Sequence, residues 1–167
     1  QEPYHFSIGV TFTLAEYILS NIMTTYCKRH PGLTLDISCD SRKTLIKKLM
    51  DYELDWVLIN YPAPDGFPTY PLCIDKSRVV VSAEHPLAKA SSVTLEQLKK
   101  EKMILCYKEN FAMRILDEEF QKQSFTTEDL NVVVETNSMK MIKQLVEGNM
   151  GITILQEVAW MQEIKED

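Results

Sequence analysis

Glycine and proline are scarce in this chain, 5 and 7 of 167 residues, which excludes a collagenous or low-complexity disordered segment. No run of 18 uncharged apolar residues occurs, so no segment is expected to span a membrane. Gln1-Glu2-Pro3 opens the chain without a basic stretch or an apolar core, and no secretory signal is visible, although a processed N-terminus would hide one. Basic residues are in deficit, 18 Lys and Arg against 24 Asp and Glu, for a net charge of −6. Both halves share the acidic excess. Such a surface repels phosphate backbones, so the chain is not expected to bind DNA by itself. The four cysteines (Cys27, Cys39, Cys73, Cys106) form no CxxC and have no histidine pair of zinc-ligand spacing beside them. That argues against a metal site and for free, mostly buried thiols in a reducing compartment such as the cytoplasm. His5, His30 and His85 lie far apart, each where a strand, a helix end or a turn explains it. With no His/Cys or His/Ser pairing and no orienting acid, neither nucleophilic catalysis nor a cofactor is expected.

What is present is a regular alternation of periods. Tyr4, Phe6, Ile8 and Val10 alternate as a strand, and Leu14, Ile18, Ile22 and Tyr26 then recur every four residues as a helix that Pro31-Gly32 breaks. Leu33, Leu35, Ile37 and Cys39 alternate again. A polar turn at Asp40-Ser41 leads to a helix through Leu45, Leu49 and Met50, and the continuously apolar Trp56–Ile59 reads as a strand covered on both faces. Strand, helix, strand, helix, strand predicts a small parallel α/β lobe. A proline-rich loop over 60–71 separates it from a second set: strand Arg78–Ser82, a turn at His85-Pro86, and a Thr94/Gln97 capping box on a short helix. Strand Met103–Cys106, helix Phe111–Gln123, strand Asn131–Glu135 and helix 138–147 capped by Gly148 follow. Strand Gly151–Leu155 and a helical turn or two over 157–164 close the chain. The predicted organisation is two α/β lobes, near 1–75 and 76–167.

Ile8-Gly9-Val10-Thr11-Phe12-Thr13-Leu14-Ala15 followed by helix, His30-Pro31-Gly32 and strand resembles the start of the effector-binding domain of LysR-type transcriptional regulators. The acidic Asp55 before Trp56–Ile59, the His85-Pro86-Leu87-Ala88 segment, Val93–Leu98, and Ile142–Ile152 with its glycine turn resemble later pieces of that domain, in order. Each piece is weak by itself, but the ordered set covers nearly the whole chain. The resemblance implies a two-lobed fold like that of type 2 periplasmic binding proteins, with a small effector held in the cleft between lobes. It also implies a homodimer or higher homo-oligomer in which Leu19, Met23 and Tyr26 of one copy lie near Leu116 and Phe120 of another. The winged helix-turn-helix that would bind DNA is absent from this chain. So are the strand and helix that in the family return to complete the first lobe, as if the fold were truncated at its C-terminal return. A transport-type solute-binding protein is the other reading of the same fold, and what precedes Gln1 would separate the two.

Open α/β sheets place ligands outside the carboxyl ends of their strands. In the first lobe that position is Thr11, Phe12 and Thr13, where two hydroxyls at a helix start make a cradle for a carboxylate or other anion, simple N-capping by one threonine being the alternative. Asn60 falls on the same rim as a hydrogen-bonding group or a turn former. In the second lobe the candidates are Asn110, Phe111, Ala112 and Met113 after one strand and Thr136, Asn137 and Ser138 after another, Ser138 doubling as an N-cap. Ala112 stands where peroxide sensors of the family carry their redox cysteine, so that chemistry is excluded here. An apolar wall from Phe12, Phe111 and Met113 facing the hydroxyls suits a small organic acid or an amino acid better than bare sulfate, with an inorganic anion kept among the candidates.

Overall fold

The computed structural model describes residues 4–60, 62–107 and 110–160. The chain divides into two compact units, Gln1–Ile74 and Asp75–Asp167.

In the first unit the period-two strand becomes β1 (Tyr4–Val10), paired in parallel with β2 (Leu33–Cys39) on one side and β3 (Trp56–Leu58) on the other, in the order β2-β1-β3. The register sets Val10 opposite both Cys39 and Leu58. Alternation therefore gathers Phe6, Ile8, Val10, Leu35, Ile37, Trp56 and Leu58 on one face, which is apolar throughout. On the other face, α3 (Arg42–Met50) buries Leu45 completely. A Cβ on Gly9 would stand 2.7 Å from Leu45 Cδ2 and 2.6 Å from Leu54 Cδ1, so the absent side chain is what lets the helix settle on the strand. Ser41 caps α3, its hydroxyl accepting from Thr44 N–H at 3.2 Å.

The helix after β1 is not uniform. It runs as α1 (Phe12–Leu14), widens into a π-helix over Ala15–Leu19, and returns to α in α2 (Ser20–Arg29). Side chains sustain the wide turn: Ser20 Oγ donates to Glu16 O at 2.6 Å and Asn21 Nδ2 to Tyr17 O at 3.1 Å. No residue of α2 is fully buried. The expectation for the third strand is corrected. Trp56–Ile59 is not a strand covered on both faces: β3 is three residues long, β1 is its only strand neighbour among the described residues, and Trp56 is 55% exposed beside the Tyr70 ring.

The second unit holds most of the buried apolar residues. β4 (Ser77–Val80) pairs antiparallel with β7 (Thr153–Gln156), and β5 (Lys102–Leu105) pairs in parallel with β6 (Asn131–Glu135). Ile152 docks beside β5, its carbonyl accepting from Ile104 N–H and its own N–H donating to Lys102 O, both at 2.8 Å. Met103, Ile104, Ile142 and Ile152 are wholly buried and form the heart of one cluster with Leu105, Phe120 and Phe125. The Thr94/Gln97 box caps α4 (Leu95–Leu98) as predicted, and α5 (Phe111–Gln121) and α6 (Met139–Glu147) complete the unit. His85 serves the fold locally. Its Nδ1 accepts from Leu87 N–H at 3.2 Å while Nε2 faces Glu101 Oε2 at 3.4 Å, fixing the 3-10 turn Pro86–Lys89. Just past the boundary between units, Asp75 Oδ1 accepts from Val158 N–H at 3.2 Å. Burial of that carboxyl pushes its pKa up.

Gly148 is the C-cap of α6, as expected, with an ordinary φ of −71°; the left-handed position falls one residue later, on Asn149 at φ 54°, a residue type that tolerates it. Of the closing helical turn, Glu157–Ala159 is a 3-10 turn and 161–164 lies outside the described residues. The thiols are not mostly buried. Cys27, Cys39 and Cys73 are exposed and Cys106 alone is buried, because α2 buries nothing fully, β2 is an edge strand and 71–76 joins no strand.

Two outcomes follow from this packing. A thiol reagent should titrate three cysteines of the folded chain quickly and Cys106 only on unfolding, since burial also raises its pKa. Gly151→Ala should lower stability by about 1–3 kcal/mol in a denaturant melt, because its Cβ would lie 2.6 Å from the Lys102 carbonyl, backbone that β5 holds in place.

Candidate functional site

The carboxyl ends of β1, β2 and β3 stop at one level. Thr11 N–H donates to Leu58 O and Asp40 N–H to Val10 O, each at 3.3 Å, so the loops after all three strands start from a common rim. Thr11 is extended (φ −70°, ψ 149°) in the N-cap position of α1, with its carbonyl accepting from Ala15 N–H at 2.9 Å. Its hydroxyl does not cap. Thr11 Oγ1 is buried and has no hydrogen-bond partner among the described residues. Thr13 is half-buried, and Phe12 is 65% exposed. Asn60 is half-buried on the same rim, where its carbonyl accepts from the Arg42 guanidinium, which also donates to Pro62 O. Sequence reasoning passed over Arg42. The available signal was its place as the first residue of a helix that follows the end of a parallel strand directly.

In the second unit the candidates cluster after β5 and β6, whose ends are joined by a bond from Thr136 N–H to Leu105 O at 3.0 Å. Here most side-chain acceptors serve the backbone. Asn110 Oδ1 accepts from Ala112 N–H at 2.9 Å and so caps α5, Thr136 Oγ1 accepts from Ser138 N–H at 3.1 Å, and Ser138 Oγ accepts from Met141 N–H at 3.3 Å to cap α6. Asn137 is exposed. Ala112 is half-buried; the Phe111 side chain lies outside the described residues. Met113 corrects the expectation of an apolar wall: at 5% exposure it belongs to the unit's own core. Phe120, expected at an interface between copies, is likewise internal and meets Phe125 edge to face at 4.9 Å. A groove between α5 and the turn Thr127–Asp129 is lined by Met113, Arg114, Asp117, Gln121 and Thr126–Glu128; Asp117 Oδ1 there accepts from Thr127 N–H at 2.9 Å. Among the described residues no group of three or more His, Cys, Asp or Glu could hold a metal.

A parallel sheet ordered β2-β1-β3 is followed by a second α/β unit with its own parallel pair, and the fold is of the type 2 periplasmic-binding class. The family model described as the LysR substrate binding domain matches residues 1–167, and the chain belongs to that family. It is 26% identical over 146 residues to the transcriptional activator CmpR of Synechocystis, covering 87% of this chain and 47% of CmpR. The chain spans about half the length of the curated relatives it matches. Among solved structures, the regulatory domain of CcmR from Synechocystis in complex with 2-PG superposes with a TM-score of 0.78 at 20% identity, covering 93% of this chain and 74% of that one. The effector-binding domain of QuiR in complex with shikimate does so with 0.75 at 18% identity, covering 96% and 77%.

A buried hydroxyl without a partner costs stability. Thr11→Val, which keeps the shape and removes the oxygen, should therefore raise the stability of the ligand-free chain by up to about 1 kcal/mol in a urea melt. A loss of that size would mean that the hydroxyl has a structural role instead.

Proposed function

We propose that this chain is the effector-sensing part of a LysR-type transcriptional regulator, taking a small organic acid, amino acid or inorganic anion at the carboxyl ends of its strands, and that it has no catalytic role. The observation that carries this reading is Thr11, whose buried hydroxyl is left unsatisfied at the end of the central strand. A ligand oxygen would complete it. Thr13, Phe12 and Asn60 share that rim in the first unit; in the second, Asn137 and the loops around Asn110 and Thr136 supply the corresponding groups. The named relatives support the reading, being transcriptional regulators, and so do CcmR and QuiR, both solved with small ligands. That these relatives are regulators also favours it over the transport reading.

Signalling then requires the effector to bind one conformation better than another, since only differential affinity shifts an equilibrium. The response would reach DNA through a domain outside this chain and through self-association. Ile22 and Tyr26 of α2, 51% and 46% exposed, are the apolar groups on offer for that contact. Among the described residues no helix is long and apolar enough to cross a membrane.

Screening small acids and amino acids by thermal shift tests the reading. A ligand at 100 times its dissociation constant should add about 2.7 kcal/mol of stability, and that gain should vanish in Thr11→Val and in Thr13→Val. A ligand that stabilises both variants as it does the parent would move the site elsewhere. For self-association, Ile22→Glu should turn a sedimenting dimer into a folded monomer; a parent that is itself monomeric at tens of micromolar would remove α2 from that role.

A further inference from the structure

Helix α3 carries four cations and no acid. Leu45 fixes it to the sheet, while Lys43, Lys47 and Met50, spaced by four and three residues, share one outward stripe. Both lysines are exposed, and Met50 is 59% exposed. Lys48 pairs with Asp40 at 3.7 Å, whereas among the described residues no acid pairs with Lys43 or Lys47. Their placement is unfavourable to the helix. Lys43 stands in the first turn, against the positive end of the helix dipole, and repels Lys47 one turn on.

The far end of α3 adds a second cost. Tyr52 N–H donates to Leu49 O at 3.2 Å and Glu53 N–H to Lys48 O at 2.9 Å, the paired closure that puts a left-handed residue just past a helix. That residue is Tyr52, at φ 58°. Glycine fits this position without strain, and of the non-glycine residues at positive φ among those described (Tyr52, Ser124 and Asn149) the tyrosine is the bulkiest. Its side chain is 95% exposed and makes no hydrogen bond or ring contact among the described residues. Backbone strain and charge repulsion thus fall on adjoining exposed positions, and no contact within the chain offsets either. Because β2 and β3 both run parallel to β1, α3 carries the chain back from the rim, and Tyr52 stands at the edge of the sheet opposite Thr11.

We propose that the outward stripe of α3, ending in Tyr52, is a docking surface for an acidic protein segment, with carboxylates set against Lys43 and Lys47 and an apolar side chain against Met50 and Tyr52. Charge complementarity selects that occupant: the two lysines are unpaired cations in a chain of net charge −6. Asp51 and Glu53, which flank Tyr52, oppose a phosphate backbone there and confine the partner's acids to the lysine end. A tyrosine presented on a fixed turn is also an anchor that loses little freedom on binding. The inference stands apart from the effector reading, since it uses no residue of the rim.

The test has two arms, both on the 167-residue chain. In the first, a random peptide display library is selected on the parent and counter-selected on Lys43→Gln/Lys47→Gln/Tyr52→Gly. Peptides that depend on these residues should carry several Asp or Glu beside one large apolar residue and should move amide resonances over 43–53. They should lose at least about tenfold in affinity in the triple variant and weaken as salt is raised. In the second arm, Tyr52→Gly should raise the folding equilibrium constant about threefold or more in a urea melt, and Lys43→Glu should raise it as well. The inference is overturned if no selected peptide depends on the stripe, or if the dependent ones are neutral or basic. A short DNA duplex that perturbs the same resonances would assign the surface to nucleic acid instead, and a parent dimer dissolved by Lys47→Glu would assign it to a second copy. A fall in stability in Tyr52→Gly would show that the tyrosine serves the fold, which also removes the proposal.

Discussion

The candidate site depends on β1 being a central strand with parallel neighbours on both sides. Val10, fully buried, faces Cys39 across one ladder and Leu58 across the other. Because both pairings are parallel, three chain directions coincide and the loops after all three strands open at one edge of the sheet. A single antiparallel neighbour would have sent Asn60 or Arg42 to the opposite edge. The second unit repeats the device with less sheet: β5 has β6 on one side and the Ile152 bridge on the other, both parallel, and the loops after β5 and β6 again emerge together.

The two units differ in how they are held. In the second, Met103, Ile104, Ile142 and Ile152 are sealed from solvent and surrounded by further buried groups. In the first, the buried apolar residues are Val10, Leu14 and Leu45, while Ile22, Ile37, Trp56, Tyr70 and Leu72 are exposed. Each such side chain would contribute about 1.5–3 kcal/mol if fully covered. The first unit therefore has the lower local stability of the two when each is taken by itself, and local opening should be concentrated there.

Much of the fold was legible in the sequence because the signals were periodic and local. Period two at Tyr4–Val10, the Pro31-Gly32 break, the Thr94/Gln97 box and the Ser138 cap each rest on residues within a few positions of one another, and each reappears in the structure. Where reading failed, a distant partner decided. Trp56–Ile59 has the composition of a buried strand, but burial depends on whether a fourth strand lies beside it. Met113 and Phe120 lie on the helix face that meets the unit's core, which periodicity alone could not tell from a face that meets a ligand or a second copy. The π-turn at Ala15–Leu19 is set by side chains at Ser20 and Asn21 reaching back one turn, a device that leaves the hydrophobic spacing nearly unchanged. Arg42 was hidden for a related reason: its partners, Asn60 and Pro62, are 18 and 20 residues away and are backbone oxygens, which no residue pattern records.

On the reading proposed above, a chain of net charge −6 that took up an anion would work against its own overall field. The conflict is one of range. At physiological ionic strength the Debye length is about 8 Å, so carboxylates spread over the surface contribute little at a rim more than that distance away. Groups within hydrogen-bonding reach act at close quarters and partly out of water, where each is worth more. Donors at the strand ends, such as the unpartnered Thr11 hydroxyl, would therefore count for more than distant exposed acids. A duplex, by contrast, is held by a broad basic surface, which an excess of 24 Asp and Glu over 18 Lys and Arg disfavours. Net charge thus bears on a large partner, and the local constellation on a small one.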